Sequence, residues 1–151
     1  MKKYCILLVL WFLFACSCQS KPRELPVNYI GIKNKRVRVE IAATSEARMQ
    51  GLMQREKLDS DSGMFFVYAR EDHLRFWMKN TKIPLSIAFI KADGTIIQIK
   101  EMKPYSEETV WSVTPVKYAL EMNKDWFEFN DINVGDRVNI PDNIQNIRAE
   151  E

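Results

Sequence analysis

The sequence predicts a mainly β domain, jelly-roll, sandwich-like or barrel-like in architecture, with one short α-helix. Its 151 residues fit a single domain. A content of 46% hydrophobic and 28% charged residues is typical of a globular chain. Between residues 35 and 140, short apolar runs follow one another closely and only one segment has helical spacing. A compact β domain accounts for all three observations.

The first residues have the form of a signal peptide. Lys2 and Lys3 precede an apolar run at 6–15, which is too short to span a membrane. The sequence Leu-Phe-Ala-Cys at 13–16 resembles the bacterial lipobox, in which the cysteine receives lipid. We therefore expect a lipoprotein that loses residues 1–15 and is lipidated on Cys16, with Cys18 as the alternative acceptor. An ordinary secretory signal peptide is the competing interpretation.

The rest of the chain divides into three parts. Residues 16–34 are expected to form the lipidated N-terminus and a tether, because 19–26 is polar and contains two prolines. Residues 35–141 form the β domain, and 142–151 a polar C-terminal tail. The lipid would attach the protein to a membrane, so we expect a location in the cell envelope, facing the periplasm or the cell exterior.

Residues 35–42 alternate between apolar and polar side chains and predict a half-buried strand. Thr44 or Ser45 is placed to cap a following helix. Met49, Leu52 and Met53 have the spacing of that helix's buried face. Further strands are predicted at 64–68, 74–78, 86–90, 95–100, 110–113, 118–123 and 137–140, with a hairpin turn at 92–94 and a helical turn at 125–130.

Composition excludes several kinds of chemistry. All three cysteines precede residue 19, so the domain has neither a disulfide nor a thiol nucleophile. The only histidine, His73, is expected in an exposed loop, and one histidine without cysteines does not predict a metal site. The glycines are too scattered for a nucleotide-binding loop, so no cofactor is expected. Without Lys2 and Lys3 the domain has 20 basic and 20 acidic residues and no basic run, which argues against nucleic acid.

The segment 75–81 is the densest in chemical groups. One interpretation is a core strand anchored by Phe76 and Trp77; the other is a small pocket in which Lys79, Asn80 and Thr81 face an aromatic wall.

Two arginines and one glutamate are further candidate ligand-binding residues. Arg48 and Arg55 are seven residues apart and would share a helix face, where they could meet an anion or pair with local acids such as Glu56. Glu121 interrupts an apolar strand, so it either enters a cavity with a raised pKa, faces solvent, or pairs with Arg48.

Several short motifs together resemble one bacterial and archaeal family, the uncharacterised domain-of-unknown-function family 192. They are Arg48-x-x-Gly-Leu-Met-x-Arg55, Gly63-Met-x-Phe66, Phe76-Trp-Met-Lys-Asn-Thr-x-x-Pro-Leu85, Leu120-Glu121 and Gly135-Asp136. The resemblance implies a compact, mainly β fold, often behind a secretion signal, and no established activity. Ser86 stands where the family pattern has aspartate, and Asp125 and Asp131 stand where glycine is common; aspartate tolerates left-handed backbone.

The sequence favours a non-catalytic domain that binds a small molecule or an envelope protein. The alternative is a hydrolase or lyase that acts on an envelope glycan or peptide with carboxylates. The two differ in whether residue 86 and Glu121 line one concave pocket with converging carboxylates.

Overall fold

The structure is a computed structural model that describes residues 24–150. This part of the chain forms nine strands and three short helices. The strands are β1 (Val27–Ile32), β2 (Lys35–Ala42), β3 (Ser62–Asp72), β4 (Arg75–Phe76), β5 (Leu85–Ile90), β6 (Ile96–Met102), β7 (Val110–Trp111), β8 (Val116–Asn123) and β9 (Val138–Asn139). The helices are α1 (Ser45–Gln50), α2 (Trp126–Phe129) and α3 (Asp142–Gln145).

Seven strands form one curled sheet in the order β6-β5-β8-β3-β2-β1-β9. Neighbours pair antiparallel except β2 and β3, which run parallel across the α1 connection. The two ends of the sheet approach each other, since the amide of Ile96 donates to the carbonyl of Asp136 at 2.9 Å. The result is a half-barrel, which confirms the prediction of a mainly β fold.

The predicted hairpin turn contributes to this closure. Gly94 has φ +87°, and a Cβ there would lie 2.4 Å from the carbonyl oxygen of Val138. The Val138 amide donates to the Gly94 carbonyl at 2.8 Å. Only glycine permits both this backbone conformation and this close approach.

The sheet is apolar on both faces at its central strands β5 and β8 and over the first half of β3. Side chains of β8 alternate between them: Tyr118, Leu120 and Met122 enter an inner core inside the curl, and Ala119 enters an outer core. Ile144 of α3 packs into the inner core. Helix α1 and the two-stranded ribbon of β4 and β7 lie over the outer core, on the same side as the candidate site described below.

The helix after β2 is shorter than the sequence predicts. Thr44 caps it, its Oγ1 accepting a hydrogen bond from the amide of Ala47 at 3.1 Å. It ends at Gln50 because Gly51 takes φ +49°. The prediction that Arg48 and Arg55 share a helix face is therefore wrong, and Met49, expected to be buried, is 71% exposed.

Both ends of the folded part extend past the predicted domain boundaries. Strand β1 lies within the expected tether and pairs with β2 along its whole length, burying Ile30 and Ile32. In the expected tail Ile144 is fully buried, and the amide of Glu150 donates to the carbonyl of Ala43 at 3.0 Å. The predicted signal peptide, Cys16 and Cys18 lie outside the described residues. Within residues 24–150, no helix has the length and apolarity needed to cross a membrane.

Candidate functional site

A cleft of about 710 Å³ opens between the segment 48–53 and the β4–β7 ribbon. Its floor consists of buried side chains, chiefly Leu52, Phe66, Phe76 and Glu121. The segment that follows α1 forms one wall because Gly51 packs close to the ring of Phe66. We call this depression the Glu121 cleft.

Among residues 24–150, Glu121 is the only one that places a carboxyl group on the floor of this cleft. Its strand alternates so that residues 119 and 121 face the outer core, which leaves Glu121 only 4% exposed. Burial raises the pKa of its carboxyl from 4.5 to about 8. Among residues 24–150 no hydrogen bond or ion pair to this carboxyl is found. The group is therefore protonated at neutral pH and presents both a donor and an acceptor to the cleft.

Arg48 does not neutralise Glu121, because its guanidinium is held by the backbone. Its Nη1 donates to the carbonyls of Ala43 at 2.8 Å and Val67 at 3.1 Å, and its Nη2 to the carbonyl of Glu150 at 2.7 Å. The guanidinium lies 4.6 Å from the ring centre of Tyr68. Burial raises the pKa of Tyr68, Arg48 partly opposes this rise and Glu121 adds to it. Arg48 thus holds one wall of the cleft in place.

Two exposed indoles stand at the mouth. Trp77 is 44% and Trp111 is 52% exposed, and both line the cleft. Arg75 pairs with Trp111 across the β4–β7 ribbon and holds its guanidinium 5.8 Å from the indole centre. Lys79 lies 5.4 Å from the centre of the Trp77 indole. One interpretation of the sequence predicted that Phe76 and Trp77 both anchor a core strand. Phe76 is buried as that interpretation requires, but Trp77 is not.

Of the three candidate residues in the segment 79–81, only one lines the cleft. Thr81 is buried on the cleft lining, and its hydroxyl donates to the carbonyl of Lys79 at 3.2 Å. Lys79 and Asn80 are exposed and lie outside the lining; Asn80 has φ +54° in the turn. Arg55 also lies outside it, in a two-pronged ion pair with Glu40 at 2.6 and 2.9 Å. Arg48, Thr81 and Glu121 are thus the three sequence candidates that meet in the cleft.

Most residues at the mouth of the cleft were not predicted from the sequence to be site residues. His73 is exposed, as expected, yet it borders the cleft, and its Nδ1 lies 3.3 Å from the carbonyl of Ser112. The alternation of residues 75–78, with Phe76 and Met78 inward, could have placed Trp77 outward. No local signal places Trp111, because it reaches the cleft only through the pairing of β7 with β4.

Ser86 and Glu121 do not converge. Ser86 lies on the opposite face of the sheet, where its hydroxyl accepts a hydrogen bond from the amide of Asp125 at 3.0 Å. Asp125 and Asp131 both have positive φ, of 63° and 55°, as expected for positions where glycine is common. An acid at position 86 would thus cap a turn, so its replacement by serine removes nothing from the cleft.

Within the part of the chain that the structure describes, no three histidine, cysteine or acidic residues are grouped so as to hold a metal ion. The arrangement is instead that of a β-rich domain with a cleft of the size of a small-molecule site, walled by aromatic side chains over one neutral acid.

The chain belongs to the family described as "Uncharacterized ACR", domain-of-unknown-function family 192, whose model matches residues 28–140. One similar solved structure is that of a proposed transcription regulator from Sinorhizobium meliloti 1021. It shares 32% identity and a TM-score of 0.75, over 78% of this chain and 96% of that one. A protein of unknown function from Novosphingobium aromaticivorans shares 31% identity and a TM-score of 0.73, over 77% and 86%. No curated protein matches the chain.

Proposed function

We propose that this domain is a non-catalytic binding module of the cell envelope whose ligand occupies the Glu121 cleft. The observation that carries the proposal is the carboxyl of Glu121, which burial of the residue desolvates, which has no hydrogen bond within residues 24–150, and which opens onto a cleft of about 710 Å³. The carboxyl oxygens are accessible from the cleft, because no fully buried side-chain oxygen or nitrogen among residues 24–150 lacks a hydrogen-bond partner, so a ligand in the cleft can bond to them. Small-molecule sites combine apolar walls with a few polar groups in this way.

The N-terminal sequence supports a location at the membrane. The lipobox-like residues 13–16 support attachment of lipid to Cys16, and seven residues, 17–23, lie between that cysteine and the first described residue, Glu24. The domain would lie close to the membrane, facing the periplasm or the cell exterior. Cys16→Ala should release the protein from the membrane fraction and Cys18→Ala should not. The reverse result would assign the lipid to Cys18, and no release by either variant would refute the anchor.

Catalysis is the second candidate function, because a carboxyl that is protonated at neutral pH is suited to act as a general acid. A hydrolase of the two-carboxylate type also needs a second acid across the bound substrate. Asp72 is the other carboxylate on the cleft lining, but it is exposed and accepts a hydrogen bond from the amide of His73 at 2.8 Å. The cleft therefore offers one suitable acid and a second acid at its outer edge, and binding is favoured.

A thermal-shift screen of the purified full chain tests the binding function. The panel should contain sugars, peptidoglycan fragments, peptides, nucleotides and small anions. A ligand at about 100 times its Kd should stabilise the fold by about 2.7 kcal/mol. Arg75→Ala should weaken a hit, because Arg75 lies beside the Trp111 indole at the mouth of the cleft. Arg36→Ala is the matched control, because Arg36 also stacks on an aromatic ring, at 4.0 Å from Tyr29, but outside the cleft.

The outcomes separate the two functions. A hit that Arg75→Ala weakens and Arg36→Ala does not supports binding in the cleft. Release of product from a bound glycan or peptide, lost in Glu121→Gln, would replace binding by catalysis. A screen without hits, or hits indifferent to both Arg75→Ala and Glu121→Leu, would refute a ligand site in the cleft.

A further inference from the structure

We infer that the ligand of the Glu121 cleft is a short, uncharged saccharide. The two indoles of the mouth pack against this saccharide, and the polar groups of the floor form hydrogen bonds with its hydroxyl groups. The inference rests on the proposed function and adds the chemical class of the ligand. Three features of the cleft lead to this inference: its aromatic faces are exposed, its polar groups are mainly neutral, and its arginines already interact with other groups of the protein.

The exposed aromatic faces indicate a ligand with flat apolar sides. Exposing an indole to water forgoes the free energy of burying it, and here two indoles are about half exposed at the same cleft. A pyranose ring presents C–H groups on its faces and hydroxyl groups around its edge. Such a ring can cover Trp77 or Trp111 with a face while its edge still meets polar groups.

The polar groups that line the cleft are mainly neutral. Glu121, protonated by its burial, can donate one hydrogen bond and accept others. Tyr68 and the exposed Thr109 add hydroxyl groups and the exposed Gln50 adds an amide, while the Thr81 hydroxyl, which already donates to the Lys79 carbonyl, can still accept. Groups that both donate and accept suit the hydroxyls of a sugar, which do the same.

The cations of the cleft are poorly placed for an anionic ligand. Arg48 already donates to three backbone carbonyls. Arg75 lies at the mouth against Trp111, and among residues 24–150 no lysine lines the cleft, since Lys79 lies beside Trp77 but outside the lining. An anion that reached the floor would therefore meet a neutral acid there, and would lack the bidentate partner that usually binds carboxylate or phosphate.

The volume of the cleft fits a short oligosaccharide. About 710 Å³ is within the range of roughly 300–1,000 Å³ for small-molecule sites, and the cleft is open at the mouth, where the indoles stand.

Calorimetric titration of the full chain tests the inference, with a neutral trisaccharide of glucose, a trisaccharide of N-acetylglucosamine, a tripeptide, AMP and inorganic phosphate as separate probes. At least one saccharide should bind, and Trp77→Ala and Trp111→Ala should each weaken it about tenfold. Tyr29→Ala is the matched control, because Tyr29 is also 44% exposed but lies on β1, outside the cleft. Both tryptophans are exposed, so their replacement should leave the fold intact.

A variant of the floor completes the test. Glu121→Gln keeps a donor and an acceptor and should retain binding, whereas Glu121→Leu removes both and should weaken it about tenfold or more. If saccharides fail and another probe binds with an affinity that Glu121→Leu lowers, the saccharide inference is overturned while the binding function stands. If no probe from this set or the thermal-shift panel binds, both fail. Saccharide binding that tolerates Trp77→Ala, Trp111→Ala and Glu121→Leu also overturns the inference.

Discussion

Replacing Glu121 by glutamine should stabilise the protein, and by more as the pH rises. The pKa of this carboxyl is about 8 in the folded chain and 4.5 without the burial that raises it. Between these values the unfolded chain has released a proton that the folded chain keeps, so the free energy of unfolding falls by about 1.4 kcal/mol per pH unit. The cost is about 3 kcal/mol at pH 7 and levels off above pH 8. Glutamine has the same shape and no proton to release, so Glu121→Gln removes the cost.

Urea unfolding of the parent and of Glu121→Gln at pH 5, 6, 7 and 8 measures this difference directly. The stability gain should be under about 1 kcal/mol at pH 5 and about 3 kcal/mol at pH 7. The other charged or titratable groups on the cleft lining, which are Arg48, Tyr68, Asp72, His73 and Arg75, are present in both proteins. Glu107→Gln, at an exposed loop carboxylate, is the control and should give no such trend. A gain of the same size at every pH would refute the assignment of a buried, protonated Glu121.

Three further substitutions test how the fold supports the cleft. Arg48→Gln should lower the free energy of unfolding by about 2–3 kcal/mol in denaturant titrations, because it removes hydrogen bonds from a charged donor to three carbonyls; an unchanged midpoint would contradict its structural role. Gly94→Ala should cost at least about 2 kcal/mol, whereas Gly135→Ala, with φ +98° but open space around it, should cost about 1 kcal/mol. Equal losses would show that close approach at Gly94 is unimportant. Ser86→Ala should cost about 1 kcal/mol through the Asp125 turn and leave ligand affinity unchanged; weaker ligand binding would place residue 86 at the site.

Local sequence patterns predicted which strands and helices form better than they predicted where each one begins and ends. The alternation of residues 35–42 matches β2 at both of its ends, because one face of that strand is buried and the other is not. The helical spacing from Met49 to Met53 was misleading, since Gly51 left the helical conformation and ended α1. The early strand β1 was missed because its exposed end at Val27 and Tyr29 interrupts the alternation that Ile30 and Ile32 would otherwise reveal.

The candidate site was predictable only where one strand carries the signal. An acid within an apolar strand was enough to single out Glu121, and burial in the structure accounts for its raised pKa. The two indoles belong to the same cleft only because β4 pairs with β7, a contact between residues more than thirty positions apart. Pairing of distant segments is set by the whole fold, so no local pattern in the sequence reveals it.

The contrast between Arg48 and Glu121 is the strongest argument that the cleft serves binding. Both groups line the same cleft, and an ion pair between them would lower the cost of burying the carboxyl. Instead, the guanidinium is committed to the carbonyls of Ala43, Val67 and Glu150. The acid is left protonated and, among the described residues, without a hydrogen bond, at a cost of about 3 kcal/mol at pH 7. Folding gains nothing from that arrangement, whereas a ligand that bonds to a neutral carboxyl requires it. Stability given up at one cleft-lining side chain is common at functional sites and supports the binding role proposed above.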